Sequence, residues 1–276
     1  MQSQCMADCH SHTNNSPDGV NTTAEMCGRA AEIGLSYYTV TDHCECNDYL
    51  GRDYGFNYKE GLKRSFEDLK KNEELFKSSP RLLKGVELGQ PLQGLEAAGE
   101  VIERHYDFVL GSVHNITGYE DFYFLNYENV TENYIDKLLT EYFNELLETI
   151  GWGRFNSLAH LTYPLRYITG DHGYRVDINR YSGPIENIFK ALIQREIALE
   201  VNTSGLRGSL RATLPDRGLL EKYRSCGGRL LTIGSDAHKR DDLGKGIKEG
   251  LKIIYSAGFR EYAVYINRSP LMIPII

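Results

Sequence analysis

Short apolar runs rich in β-branched and aromatic residues recur along this chain, and stretches with helical spacing separate them. The runs span residues 6–10, 37–41, 82–87, 108–113, 155–160, 198–202, 230–233 and 262–266. Between them, Thr22-Thr23-Ala24-Glu25 has the spacing of a capping box and opens a helix to about Ile33. Residues 59–76, 95–105, 131–150, 184–197, 216–226 and 241–257 also show helical periodicity. Strand and helix thus alternate seven or eight times. Such alternation predicts a parallel sheet with covered faces, closed as a barrel or doubly wound. A chain of 276 residues suits one domain of that size, and no Gly/Ser/Pro-rich linker or internal repeat divides it.

The strands end on a consistent set of residue types. The first run closes on Asp8-Cys9-His10-Ser11-His12-Thr13, where the two histidines lie on the same side of an extended segment. Thr41-Asp42-His43, Gly85-Val86-Glu87, Gly111-Ser112-Val113-His114, Ala159-His160 and Gly234-Ser235-Asp236-Ala237-His238 close others. One His-x-His motif is weak evidence for a metal. Three or more histidines and two or three carboxylates, each at the C-terminal end of a different strand, converge on one barrel mouth. That donor mixture suits Zn²⁺, Fe²⁺ or Mn²⁺.

Bulk properties narrow the alternatives. A net charge of −7 argues against a surface for nucleic acid or another polyanion. Six cysteines at irregular positions do not form a disulfide framework. The polar start Met1-Gln2-Ser3-Gln4 has no secretory apolar region, and no run approaches a membrane span. A soluble cytoplasmic protein without a membrane partner is the expectation. Cys44 and Cys46 lack a second cysteine pair, so they read as ordinary thiols. His105 reads as a surface residue and His172 as a solvated loop residue. Asp8 and Asp42 each have two readings: a group orienting a liganding imidazole, or a polar residue closing a strand.

From 8 to about 270 the chain resembles the polymerase-and-histidinol-phosphatase (PHP) superfamily, on the motifs Asp8–Thr13, Asp18-Gly19, Thr41–His43, Glu87, His114, His160 and Ser235–His238. The histidinol-phosphatase branch is the most similar, through Glu200-Val201-Asn202-Thr203-Ser204-Gly205-Leu206-Arg207 and His160-Leu161-Thr162-Tyr163-Pro164-Leu165-Arg166. The resemblance implies an α/β fold, a distorted TIM-like (β/α)7 barrel, with residues 1–276 as a single PHP-type domain. It also implies two or three divalent ions, of Zn, Fe or Mn. His10, His12, Glu87 and Asp236 would hold one; Glu87, His114 and His160 a second, with Glu87 bridging; Asp18, His43 and His238 a third. Some relatives carry histidine where this chain has Asp18, and a carboxylate there favours Mn²⁺ or Fe²⁺.

The implied activity is hydrolysis of L-histidinol phosphate, a step of histidine biosynthesis, with Glu87, Asp236 and His238 in the catalytic set. Water bridging two cations ionises near neutral pH and attacks phosphorus in line with the leaving alkoxide. Arg166 and Arg207 match positions that clamp the phosphate. Read alone they are solvated loop arginines, but guanidinium suits bidentate donation to phosphate. The loop 44–57, expected to help form the leaving-group pocket, lacks the proline-rich run of some relatives. Two other readings stand beside this one. One is a PHP phosphoesterase for another ester, such as a nucleotide; the other is a non-catalytic metal-binding module. The partner expected is a small-molecule phosphate monoester, and the sequence leaves oligomeric state and leaving-group acid open.

Overall fold

A computed structural model describes residues 4–47, 58–77 and 79–276. Most of the loop expected to help form the leaving-group pocket, residues 48–57, lies outside these described residues. Strands β1 (Ala7–Asp8), β2 (Tyr37–Val40), β3 (His43–Glu45), β4 (Arg81–Gly89), β5 (Phe108–Ser112), β6 (Ser157–Leu158), β7 (Ala198–Asn202) and β8 (Leu231–Gly234) form one parallel sheet. Its order is β1-β2-β4-β5-β6-β7-β8, with β3 also on β4. Tyr37 pairs with Arg81 and His43 with Glu87, which is one constant register. Strands β2 and β3 are therefore one strand interrupted at Thr41-Asp42, and the sheet has seven staves.

The staves close into a ring. Cys9 N donates to Ile233 O at 2.9 Å, Asp236 N to His10 O at 2.7 Å, and Ser11 bridges Ala237 in parallel. Asp8 fastens the same seam. Its fully buried carboxylate accepts from Ser235 N at 2.8 Å and Gly244 N at 3.0 Å. Asp8 therefore binds main chain, so of its two readings the polar residue closing a strand is the one that fits.

Helices α1 (Thr23–Glu32), α2 (Tyr58–Glu73), α3 (Leu95–Ile102), α4 (Glu132–Trp152), α5 (Ser182–Gln194), α6 (Arg217–Ser225) and α7 (Ile247–Ser256) follow the staves in turn. The capping box of α1 forms as its sequence predicts, between Thr22 and Glu25. The last helix begins six residues later than its periodicity suggests, because Arg240–Asp242 forms a separate 3₁₀ turn. Every residue of β5 and β7 is buried, as expected of parallel strands with helices on one side and a filled barrel on the other.

The last apolar run is not an eighth stave. Strand β9 (Glu261–Ile266) turns through Asn267 and Arg268, both at positive φ, into antiparallel β10 (Ser269–Pro274). That is the geometry of a two-residue hairpin loop, which Asn favours. The turn is tied to Asp107, Arg154 and Asn156, which precede β5 and β6, so the hairpin lies across the N-terminal end of the barrel. The opposite, C-terminal end is left for the loops that carry the motif residues. Among the described residues no helix is long and apolar enough to cross a membrane.

Candidate metal centre

The six strand-end histidines meet at that C-terminal mouth, and in three of them a hydrogen bond at Nδ1 sets the tautomer. His10 Nδ1 donates to Glu200 Oε1 at 2.7 Å, and His114 Nδ1 to Glu45 Oε1 at 3.0 Å. His238 Nδ1 donates to Asp236 O at 3.1 Å. Each such bond fixes the proton on Nδ1 and turns the Nε2 lone pair toward the centre of the mouth, the arrangement a metal-ligating histidine needs.

The Nε2 atoms then approach one another as close as they approach carboxylates. His10 Nε2 is 3.2 Å from His12 Nε2 and 3.2 Å from Glu87 Oε2. His12 Nε2 is 3.5 Å from Glu87 Oε2 and 3.4 Å from Asp236 Oδ1, and His10 Nε2 is 3.6 Å from that same oxygen. Four donors bound at 2.0–2.1 Å in a tetrahedron would be separated by roughly 3.3 Å. Two imidazole nitrogens at such a distance gain little from each other, so the grouping fits a cation between them. A second group has the same dimensions: Glu87 Oε1 lies 3.1 Å from His114 Nε2 and 3.0 Å from His160 Nε2, which are 3.3 Å apart. Glu87 thus turns one oxygen to each group. It lies near the C-terminal end of β4, is wholly buried, and stands in register with His43.

The third set is looser. Asp18 Oδ2 lies 3.0 Å from His238 Nε2 and 3.7 Å from His43 Nε2. The Asp18 side chain is 53 % exposed, unlike every other carboxylate of the cluster. The ring of His12 is sandwiched between those of His43 and His238, with centroids 4.1 and 4.2 Å away. His43 Nδ1 also lies 3.1 Å from Glu87 Oε2, so this set abuts the first two.

Burial opposes charge on every member, yet the cluster holds charge. The carboxylates Glu200, Glu87 and Asp236 keep His10 well above the ordinary histidine range despite that burial. Glu45 and Glu87 likewise hold His114 up at about 10. Burial and the neighbouring imidazoles His43 and His238 push His12 down to about 3. A buried pocket with this many carboxylates requires positive charge, which protons supply when divalent cations do not.

Glu45 and Glu200 carry no role in the sequence reading. Glu200 was detectable as an acidic residue in an otherwise apolar strand, whereas Glu45 ends a short mixed one. Glu200 Oε2 also accepts from His160 N at 2.8 Å, so one carboxylate positions two liganding histidines. Asp42 accepts from Thr13 N at 2.6 Å and from the hydroxyls of Thr13, Ser16 and Ser65. It braces the loop that carries His12 and touches no imidazole. Space is tight beneath the cluster: a Cβ on Gly234 would lie 2.3 Å from His10 Cβ and 2.8 Å from Glu200 Oε1.

Both arginines reach Asp236. Arg166 Nη2 donates to Asp236 Oδ2 at 2.8 Å and to Ser204 Oγ at 2.5 Å, while its buried Nε has no partner among the described residues. Arg207 donates from Nη1 to Ser235 O at 2.7 Å and from Nη2 to Asp236 O at 3.2 Å. Asp236 sits at φ 54° and His160 at φ 22°, conformations that ordinary residues avoid. The Arg207 bonds hold the first of these turns in place. His105 and His172 are exposed, as expected from sequence, and Cys44 and Cys46 are buried free thiols.

Comparison with known proteins agrees with this geometry. The PHP domain family profile matches residues 8–204. A probable histidinol-phosphatase of Thermotoga maritima is 31 % identical over 94 % of this chain and 95 % of its own length. A histidinol-phosphatase of Lactococcus lactis is 28 % identical over 94 % of this chain and 93 % of its own. Among solved structures, a histidinol phosphate phosphatase of Lactococcus lactis, complexed with zinc, L-histidinol and phosphate, superposes with a TM-score of 0.81 at 25 % identity. That match covers 98 % of this chain and 100 % of the other. With the profile matching residues 8–204 and the histidinol-phosphatase relatives and structure covering nearly the whole chain, the chain belongs to the PHP domain family, in the branch that holds the histidinol-phosphatases.

Proposed function

We propose that this protein is a metal-dependent phosphomonoesterase that hydrolyses L-histidinol phosphate to L-histidinol and phosphate. The observation that carries the chemistry is Glu87, whose two oxygens face two separate imidazole groups about 3 Å away on either side. That is the arrangement of a carboxylate shared between neighbouring cations. The substrate reading is supported by the relatives of similar length and by the Lactococcus lactis structure with L-histidinol and phosphate.

We place one ion among His10, His12, Glu87 and Asp236, and a second among Glu87, His114 and His160. A third is placed among Asp18, His43 and His238. The donor mixture fits Zn²⁺, Fe²⁺ and Mn²⁺, with exposed Asp18 the hard carboxylate donor of the third set. Divalent ions bound there supply positive charge for the phosphoryl oxygens and lower the pKa of water. The chain's own residues do the rest. Glu200 and Glu45 fix which nitrogen of His10 and His114 is free. Arg166 turns its unpartnered Nε and remaining hydrogens to a phosphate oxygen and orients the ester for in-line displacement. Arg207 acts first on the main chain of Asp236, with its outward hydrogens left for phosphate.

The test is phosphate release from L-histidinol phosphate, p-nitrophenyl phosphate and nucleoside monophosphates, with metal-loaded and chelated protein. The expected result is metal-dependent turnover with highest kcat/KM for histidinol phosphate. A metal-loaded protein that prefers nucleotides would contradict the substrate assignment. One that binds metal and hydrolyses none of these esters would contradict the activity.

A further inference from the structure

The loop between β5 and α4, residues 113–131, carries a buried acid that the metal centre does not use. Asp121 is 8 % exposed. Both hydrogen bonds that it accepts fall on the same oxygen: Tyr123 N reaches Oδ1 at 2.7 Å and Tyr163 OH reaches it at 3.0 Å. Among the described residues no donor reaches Oδ2, and no lysine or arginine pairs with the carboxylate. Tyr123 and Tyr163 account for Oδ1, while Oδ2 keeps access to solvent and so to a ligand.

The acid is placed beside the reaction centre. Phe122 N donates to His114 O at 3.0 Å, which ties the loop to the end of β5. The Tyr163 ring, whose hydroxyl binds Asp121, lies 4.8 Å from the His160 ring and 5.0 Å from that of His114. The Arg166 guanidinium lies over the same ring at 5.2 Å. One tyrosine therefore stands between the proposed phosphate site and the free carboxylate oxygen. Next to it Tyr123 is 65 % exposed, its ring 5.8 Å from that of Tyr167. A phosphate ester held at the mouth would have its alcohol half facing a carboxylate that has no lysine or arginine partner among the described residues, and an accessible aromatic ring.

We propose that Asp121 is the specificity-determining residue for the alcohol half of the substrate: Oδ2 accepts a hydrogen bond from an ammonium group near the ester, and the Tyr123 ring flanks the heterocycle beyond it. Burial pushes the Asp121 carboxyl up to about 6, so it is ionised at neutral pH and gains from a cationic partner. The inference rests on the histidinol phosphate reading, since that ester carries an ammonium on the second carbon from its ester oxygen.

The experiment compares two esters that share a leaving-group type and differ only in the ammonium: L-histidinol phosphate and 3-(imidazol-4-yl)propyl phosphate. The ammonium also makes the alkoxide a better leaving group, but that effect is the same in every variant, so the change in the ratio of kcat/KM values on mutation reads ammonium recognition. Wild-type protein should prefer the ammonium-bearing ester by about 10- to 100-fold, the scale of a charge-assisted hydrogen bond. Asp121→Asn should lower the ratio by about 10-fold or more. Asp121→Glu, which keeps the charge but displaces it, should give an intermediate ratio and serves if the asparagine variant does not fold. A wild-type ratio near one would overturn the proposal while leaving the phosphatase reading intact. So would a wild-type-like ratio in both variants. If metal-loaded wild type hydrolyses neither ester, the functional reading itself fails and takes this inference with it.

Discussion

Glu87 is where the structure makes its most demanding claim. Oε2 lies 3.2 Å from His10 Nε2 and 3.1 Å from His43 Nδ1, while Oε1 lies 3.1 and 3.0 Å from His114 and His160 Nε2. Replacing it with glutamine keeps the shape, removes the charge and turns one acceptor into a donor aimed at imidazoles. Disturbing even an outer partner of a metal ligand costs about 10- to 100-fold in affinity. A carboxylate shared by two ions should cost at least that for each, so roughly 10²–10⁴-fold in total. A fall in kcat/KM of about 10³-fold follows, or roughly 4 kcal/mol of transition-state stabilisation. His160→Ala removes a donor from one group only and should cost less. The assay is metal content per chain with steady-state turnover of histidinol phosphate, for Glu87→Gln, Glu87→Ala and His160→Ala in parallel. Near-normal metal content and turnover within about threefold of wild type in both Glu87 variants would refute the bridging role.

The remaining predictions address the surroundings of the cluster. Metal loading at neutral pH should release protons, because His10, His43 and His114 are held above the ordinary histidine range by carboxylates despite burial; affinity should therefore fall as pH falls, and calorimetry in buffers of different ionisation enthalpy measures the count. Glu200→Gln frees the His10 ring and the His160 amide, and should weaken metal binding by about 10- to 100-fold without unfolding the barrel; unchanged metal affinity would remove Glu200 from its positioning role. Arg166→Ala should keep its metals and lose about 10²-fold in kcat/KM, with lysine restoring only part of it. Arg207→Ala should lose metal as well, because it supports the strained Asp236 main chain; equal metal content in the two alanine variants would contradict that division.

Much of this centre was visible in the sequence because a parallel strand buried on both sides has little reason to end on histidine or acid. The alternation of strands and helices and the strand-end histidines and acids follow from that contrast; the seven staves and the full set of nine ligands, Asp18 included, came from the resemblance to the PHP superfamily, and the structure brings those nine residues together at one mouth. Other features were hidden for physical reasons. Strand β3 is the continuation of β2 after a two-residue break, and its mixed sequence His43–Glu45 has no apolar signature. Residues 262–266 carry a strand signal of the same strength as the staves, but only the Asn267–Arg268 turn shows that they form a hairpin. Asp8 had two readings in the sequence, and Glu200 entered only as part of a motif, without a role. Which of them would touch an imidazole depended on barrel closure, which joins residues 190 positions apart in the case of His10 and Glu200. Asp121 lies in a loop with no periodicity, and only the one-sided use of its carboxylate distinguishes it.

The central claim is that the buried histidine and carboxylate cluster holds more than one divalent ion and that these ions hydrolyse histidinol phosphate. It is tested most directly by stripping the protein with chelator, adding Zn²⁺, Mn²⁺ or Fe²⁺ stepwise, and recording bound metal and histidinol phosphate turnover at every step. Turnover should be absent in the stripped protein and should rise steeply only as the second ion per chain binds, because Glu87 couples the two groups. Full turnover in stripped protein, or none with two or more ions bound per chain, would contradict it.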